Sequence, residues 1–69
     1  MKDAPFNPAA LKMLRERRKL TREGVALLAY CEDKAYDAWE NGKETPSPFW
    51  QGRLAKALRC RVEDFFRRS

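Results

Sequence analysis

The feature that most constrains the fold is a pair of short segments between Thr21 and Gly42, joined by only Tyr30 and Cys31. Their apolar residues recur at helical spacing, which places them on one side of each helix: Val25, Ala26 and Ala29 in the first, Tyr36 and Trp39 in the second. Thr21 is typical of a helix N-cap and Gly42 of a helix end. Two helices linked this closely share a core, which predicts a helix-turn-helix over residues 21–42.

Helix patterns also occur on both sides of this pair. Asn7 and Pro8 predict the start of a first helix, and Ser47 and Pro48 predict the start of a fourth, because each pair supplies an N-cap followed by proline at the first helical position. The apolar residues of the flanking helices are Leu11 and Leu14, then Trp50, Leu54 and Leu58, and finally Val62, Phe65 and Phe66. The sequence therefore predicts an all-α domain of five short helices.

The charge balance favours a nucleic-acid partner. The 69 residues carry a formal net charge of +5, and a chain of this length forms one domain. The alternative interpretation is a soluble domain with an uneven charged surface. No apolar stretch is long enough to span a membrane and no signal peptide is recognised, so we expect a cytoplasmic protein.

Residue usage gives no indication of catalysis or metal binding. The chain has two cysteines and no histidine, which excludes an ordinary four-ligand zinc site and any Ser–His or Cys–His pair. It has no glycine-rich phosphate loop. We therefore expect no enzymatic activity, cofactor or metal, and we interpret Cys31 and Cys60 as buried, reduced core residues.

Several short motifs together carry a family resemblance. They fall in one register: Leu11, Leu14-Arg15, Leu20-Thr21, Ala26, Trp39-Glu40-Asn41-Gly42-Lys43, Pro46-Ser47, Leu54-Ala55-Lys56-Ala57-Leu58 and Glu63-Asp64-Phe65-Phe66. With these residues the chain resembles the Cro/lambda-repressor type of helix-turn-helix, the XRE family. The resemblance implies a compact five-helix bundle whose third helix enters the DNA major groove. It implies an N-terminal arm at residues 1–6, a DNA-binding domain at 7–66 and a basic tail at 67–69.

The third helix is unusually acidic for a helix that reads DNA. Because Tyr36 and Trp39 point inward, the outward side carries the candidate base-reading residues Asp33, Lys34, Asp37 and Ala38. One interpretation is that a carboxylate accepts a hydrogen bond from a cytosine amino group, Lys34 donates to guanine and Ala38 touches a thymine methyl group. The other is that Glu32 and Asp33 only stabilise the helix N-terminus and the helix faces a protein.

The resemblance also assigns supporting roles. The candidate phosphate contacts are Thr21, Arg22, Asn41 and Lys43. Arg15 and Glu40 are expected to form a structural ion pair that ties the first helix to the end of the third. One position departs from the family, which commonly has glycine where this chain has Tyr30. Either the turn is remodelled there, or the fold holds Tyr30 in a conformation with positive φ.

The resemblance implies a small sequence-specific transcriptional regulator that binds double-stranded DNA. Because 69 residues leave no room for an effector domain, we expect a repressor of phage, plasmid or prophage type that binds a palindromic operator as a homodimer. Self-association would use Phe49, Trp50, Phe65, Phe66 or the tail. The alternative function is a protein-interaction module or an antitoxin-like partner.

Overall fold

The computed structural model describes residues 5–66, which form four α-helices and one short 3₁₀ helix without a strand. The helices are α1 (Pro8–Arg17), α2 (Arg22–Ala29), α3 (Asp33–Glu40), α4 (Pro48–Leu58) and the 3₁₀ helix (Val62–Phe66). This order confirms the predicted all-α, five-helix fold. Residues 1–4 of the predicted arm and the whole tail, 67–69, lie outside the described range. Within that range, no helix has the length and apolar character needed to cross a membrane.

Side chains cap the N-termini of three helices, as the sequence predicts. Thr21 Oγ1 accepts a hydrogen bond from the Gly24 N–H at 3.0 Å, and Asn7 Oδ1 accepts one from the Ala9 N–H at 3.0 Å. Ser47 caps α4 in the same way, at a longer 3.5 Å. Each contact satisfies an N–H group that has no carbonyl partner in the first turn of its helix.

The four α-helices end in the same way, although only one has glycine at the end. The residues with positive φ are Lys19, Tyr30, Gly42 and Arg59. After each of them, the next N–H bonds back to the carbonyl five residues earlier, as from Cys31 to Ala26 at 3.0 Å. Tyr30 has φ 62° and ψ 37°, so the turn between α2 and α3 is not remodelled and the fold holds the tyrosine in a left-handed conformation. That conformation costs about 1–2 kcal/mol.

All five helices contribute to one core. Its centre consists of side chains with no exposed surface: Leu11, Val25, Tyr36, Leu54 and Phe65. Phe6 belongs to this core too, because its ring lies 5.6 Å from that of Phe65 and 5.9 Å from that of Phe66. Phe6, which the resemblance assigned to the N-terminal arm, therefore packs as part of the domain.

Two arginines bind the C-terminal ends of neighbouring helices. Arg18 Nε donates to the Leu58 carbonyl at 3.0 Å, and Arg53 Nε donates to the Ala29 carbonyl at 2.9 Å. Both carbonyls end a helix, where a positive charge is favourable. Arg53 is half-buried against the end of α2, although the other basic residue of its helix, Lys56, is exposed.

The two cysteines are free thiols at the edge of the core. Both Cys31 and Cys60 are half-buried rather than fully buried. Burial raises the pKa of Cys31, and burial together with the charge of Asp64 raises the pKa of Cys60 to about 11. Both thiols are therefore protonated at neutral pH, and neither has the properties of a reactive cysteine.

Gly52 offers a test of the α4 packing. It lies exposed within the helix, and a Cβ atom added there would meet nothing within 4 Å. We expect Gly52→Ala to raise the free energy of unfolding by about 1 kcal/mol, because alanine favours the helix more than glycine does. Urea unfolding followed by tryptophan fluorescence measures this. In the control Gly24→Ala the new Cβ would lie 3.3 Å from Thr21 Oγ1, so a smaller gain is expected. A loss of stability in Gly52→Ala would contradict the open packing.

Candidate nucleic-acid interface

The outward side of α3 consists of the residues that do not pack into the core. Tyr36 and Trp39 are buried against the other helices. Asp33 and Lys34 are consequently exposed, and Asp37 and Ala38 are half-exposed. The four residues proposed to read bases thus share the side of α3 that faces away from the core.

A buried carboxylate, that of Glu40, fixes the end of α3. Arg15 Nε donates to Glu40 Oε2 at 2.9 Å and Arg15 Nη2 donates to Oε1 at 3.0 Å, which makes a two-point ion pair. The remaining terminal nitrogen of Arg15 donates to the Leu20 carbonyl at 2.9 Å. One arginine therefore joins the end of α1, the start of the helix-turn-helix and the end of α3.

Glu40 has two further partners that were not predicted from the sequence. The Tyr36 hydroxyl donates to Oε2 at 2.6 Å, and Arg22 Nε lies 3.0 Å from Oε1. Tyr36 and Glu40 are four residues apart on one helix, a spacing that could have indicated their contact. Arg22 lies on a different helix, and no local spacing indicates its approach.

The network holds Glu40 in its charged form. Burial raises the pKa of the carboxyl, but the hydrogen bonds from Arg15 and Tyr36 and the charges of Arg15 and Arg22 outweigh burial, so the net pKa is lowered from its ordinary 4.5. The hydrogen bond to Glu40 raises the pKa of Arg15. Burial, followed by the contact with Glu40, raises the pKa of Tyr36. At neutral pH the site is therefore a carboxylate between two guanidinium groups and a neutral phenol.

Because folding lowers the pKa of Glu40, the free energy of unfolding depends on pH in the acidic range. Glu40 contributes its full stabilisation above pH 4.5, its ordinary pKa, and loses it as the pH falls through the lower pKa of the folded state. We expect the urea concentration at the unfolding midpoint to decrease as the pH is lowered from 6 to 3. In a Glu40→Gln variant, which has no carboxyl to protonate, the fall should be smaller. An equal fall in both proteins would contradict the role of Glu40 in this acid dependence.

Arg22 reaches α3 at three points. Besides Glu40, its Nη1 lies 3.2 Å from Asp37 Oδ1 and its Nη2 lies 3.4 Å from Asn41 Oδ1. The side chain therefore runs from the start of α2 along the outward edge of α3 and fixes the angle between the two helices. About a third of it is exposed (37%), so a phosphate contact by Arg22 stays a prediction and would be shared with these acceptors.

Pairing makes this surface less acidic than its composition suggests. Asp37 and Glu40 each face a guanidinium group. Among residues 5–66, neither the two acids Glu32 and Asp33 nor the two lysines Lys34 and Lys43 form an ion pair. The charges of these four side chains therefore sum to zero. Glu32 is the N-cap residue of α3, yet its side chain makes no capping hydrogen bond.

Thr21 and Lys43 lie at opposite ends of the helix-turn-helix. Thr21 caps α2, whose first N–H groups and positive dipole end form an arrangement that suits an anion. Lys43 is exposed directly after Gly42, whose φ of +78° turns the chain away from α3. Asn41 is exposed at the end of α3. The predicted phosphate contacts therefore lie at the start of α2 and directly after α3.

Comparison with known proteins identifies the domain. A model of the helix-turn-helix domain matches residues 9–65. Among solved structures, the restriction-modification controller protein C.AhdI from Aeromonas hydrophila superposes with a TM-score of 0.82 at 25% sequence identity. The match covers 86% of this chain and 89% of the controller protein. None of the curated proteins searched is a significant match.

Proposed function

Because the chain belongs to the helix-turn-helix domain family, we propose that it is a small sequence-specific transcriptional repressor of phage, plasmid or prophage type. The family and the likeness to a controller protein support the broader assignment, a DNA-binding regulator of transcription. The repressor acts by occupying a promoter. Its target is a palindromic operator in double-stranded DNA.

The observation that carries this proposal is the way α3 is held. A fully buried carboxylate and two arginines lock α3 against α1 and α2, while Asp33, Lys34 and Ala38 remain accessible on its outward side. A rigidly placed helix with a free polar side is what major-groove readout requires. Lys34 donates to guanine, and Ala38 contacts a thymine methyl group.

Asp37 has one carboxylate oxygen bonded to Arg22, so its second oxygen is the one that accepts from a cytosine amino group. The same pairing reduces the repulsion between α3 and the phosphates. It also weakens the case for the alternative function, in which the acidic third helix faces a protein, because the acids that suggested a protein partner are largely compensated within the chain.

Phosphate contacts set the register on DNA. Thr21 and the first N–H groups of α2 bind one phosphate, and Lys43 with Asn41 binds another directly after α3.

Of the four aromatic residues considered for self-association, Phe65 is buried, Trp50 and Phe66 are half-buried on the core, and Phe49 is exposed on α4. We place the second copy at the 3₁₀ helix, where Val62 and Phe66 keep some exposed surface.

Selection from a pool of random duplexes at two salt concentrations tests the proposal. We expect an inverted repeat whose half-sites lie about 10 base pairs apart, bound by two copies of the chain. Affinity should fall steeply with salt, since lysine contacts release counterions from phosphates. Weak retention without an enriched sequence would overturn the assignment as a sequence-specific repressor.

A further inference from the structure

An open groove lies between the end of α2 and the exposed side of α4. Its volume is about 570 Å³, and no residue of α3 lines it. The lining side chains that matter here are three large apolar ones and three basic ones: Leu28, Tyr30, Phe49, Arg53, Lys56 and Arg59. The groove is therefore separate from the surface proposed to bind DNA.

The apolar part of the groove is unusually exposed. The exposed fractions are 53% for Leu28, 76% for Tyr30 and 62% for Phe49. Single exposed hydrophobic residues are ordinary, but three large ones lining one concave site are typical of a binding surface. Tyr30, like Arg59, has a left-handed backbone conformation, where glycine would be unstrained.

Arg53 organises the groove. Its guanidinium carbon lies 4.9 Å from the centre of the Tyr30 ring and 5.5 Å from that of Phe49, while its Nε is bonded to the Ala29 carbonyl. The side chain is thereby held between two aromatic rings and anchored to the end of α2. Such a preorganised site loses little conformational entropy when a ligand binds.

The charge of the groove selects its occupant. Arg53, Lys56 and Arg59 are all positive, and none of the lining residues is acidic. A second copy docked through the same surface would bring like charges together, which disfavours self-association here. Nucleic acid fits less well, because the guanidinium group already stacks on both aromatic rings and Leu28 offers no partner to a phosphate.

We propose that this groove binds an acidic, apolar segment of a partner protein. One large apolar side chain of the segment packs on Leu28 and Phe49, and its carboxylates face Lys56 and Arg59. Because the groove is separate from α3, the partner and DNA bind at the same time. The site therefore gives the domain a means to recruit a second protein to the DNA that it occupies.

Nuclear magnetic resonance titration of the ¹⁵N-labelled full chain tests this. The titrant is a synthetic peptide that alternates Asp or Glu with Leu or Phe, and its control has every acid replaced by the matching amide. We expect the acidic peptide to shift the amide signals of Leu28, Tyr30 and Gly52, and the amide peptide to bind at least about fivefold more weakly.

Two variants and two matched controls locate the contact. We expect Lys56→Glu and Phe49→Ser each to weaken binding of the acidic peptide by about tenfold. At exposed positions of α1, Lys12→Glu makes the same charge reversal and Met13→Ser makes a comparable loss of an apolar side chain. Both should leave peptide binding unchanged. All four variants should keep DNA binding, so a failure here is distinguishable from a failure of the proposed repressor function.

Four results would overturn the proposal. The first is equal binding of the acidic and amide peptides, and the second is unchanged binding in Lys56→Glu and Phe49→Ser. The third is a dimer in sedimentation experiments that Phe49→Ser dissociates, since the groove would then hold a second copy. The fourth is displacement of the acidic peptide by duplex DNA, which would assign the groove to nucleic acid.

Discussion

Replacing Glu40 by glutamine is expected to lower the free energy of unfolding by about 3 kcal/mol or more. The buried carboxylate accepts from Arg15 and Tyr36 and lies 3.0 Å from Arg22 Nε. Removing its charge leaves the guanidinium group of Arg15, whose side chain is only 13% exposed, without a counter-charge. Small domains have a total stability of about 5–15 kcal/mol, so the loss is a large part of it. Urea unfolding monitored through Trp39 and Trp50 measures the change.

The control for Glu40 is Glu44→Gln, which makes the same chemical change at an exposed position after α3. We expect it to alter stability by less than about 0.5 kcal/mol. Equal effects of the two substitutions would mean that only the net charge of the chain matters. That outcome would contradict a specific role for the buried carboxylate in holding α3.

Reversing the charge of Lys34 is expected to weaken operator binding by about 100-fold or more. Lys34 is exposed near the start of α3, on the side that we propose to enter the major groove. Lys34→Glu removes a hydrogen-bond donor to guanine and places a carboxylate among phosphates. Because a negative charge suits the first turn of a helix, the variant should remain as stable as the original chain.

Lys12→Glu separates this local effect from the change in net charge. Lys12 is exposed on α1, outside the proposed interface, and its substitution should weaken binding by less than about fivefold. Fluorescence anisotropy with the selected duplex gives both affinities, and urea unfolding shows whether both variants are folded. Equal losses from the two substitutions would remove Lys34 from the base-reading set.

The helix boundaries were predictable because they depend on local chemistry. Thr21 and Ser47 are short polar side chains that satisfy N–H groups of their own helices, and Gly42 adopts the positive φ that ends α3. The core face was predictable for the same reason, since helical spacing alone puts Tyr36 and Trp39 on one side. Patterns of this kind need no knowledge of which helix packs against which.

The partners of long side chains were not predictable. Arg22 and Arg53 each occur in a stretch that looks solvated in sequence, yet each bonds to an acceptor on a different helix. An arginine spans several ångströms, so its partner is decided by how the helices cross and not by its neighbours in sequence. The interpretation of α3 as strongly acidic was incomplete because it did not include Arg22.

Phe6 illustrates a related limit. It precedes the N-cap of α1, and nothing in the sequence distinguishes it from the rest of the predicted arm. In the structure, the N–H of the next residue, Asn7, donates to the Phe65 carbonyl at 2.7 Å, which brings the arm onto the 3₁₀ helix. The contact joins residues 58 positions apart in sequence, so only the completed fold places Phe6 in the core.

Base substitution in the selected operator is the most direct test of the claim that α3 reads the major groove. Replacing guanine by 7-deazaguanine removes an acceptor from the major groove, whereas inosine removes the amino group from the minor groove. We predict that 7-deazaguanine at one half-site position lowers affinity by about tenfold, that inosine there has little effect, and that Lys34→Ala abolishes the difference. Sensitivity to inosine alone would contradict major-groove readout by α3.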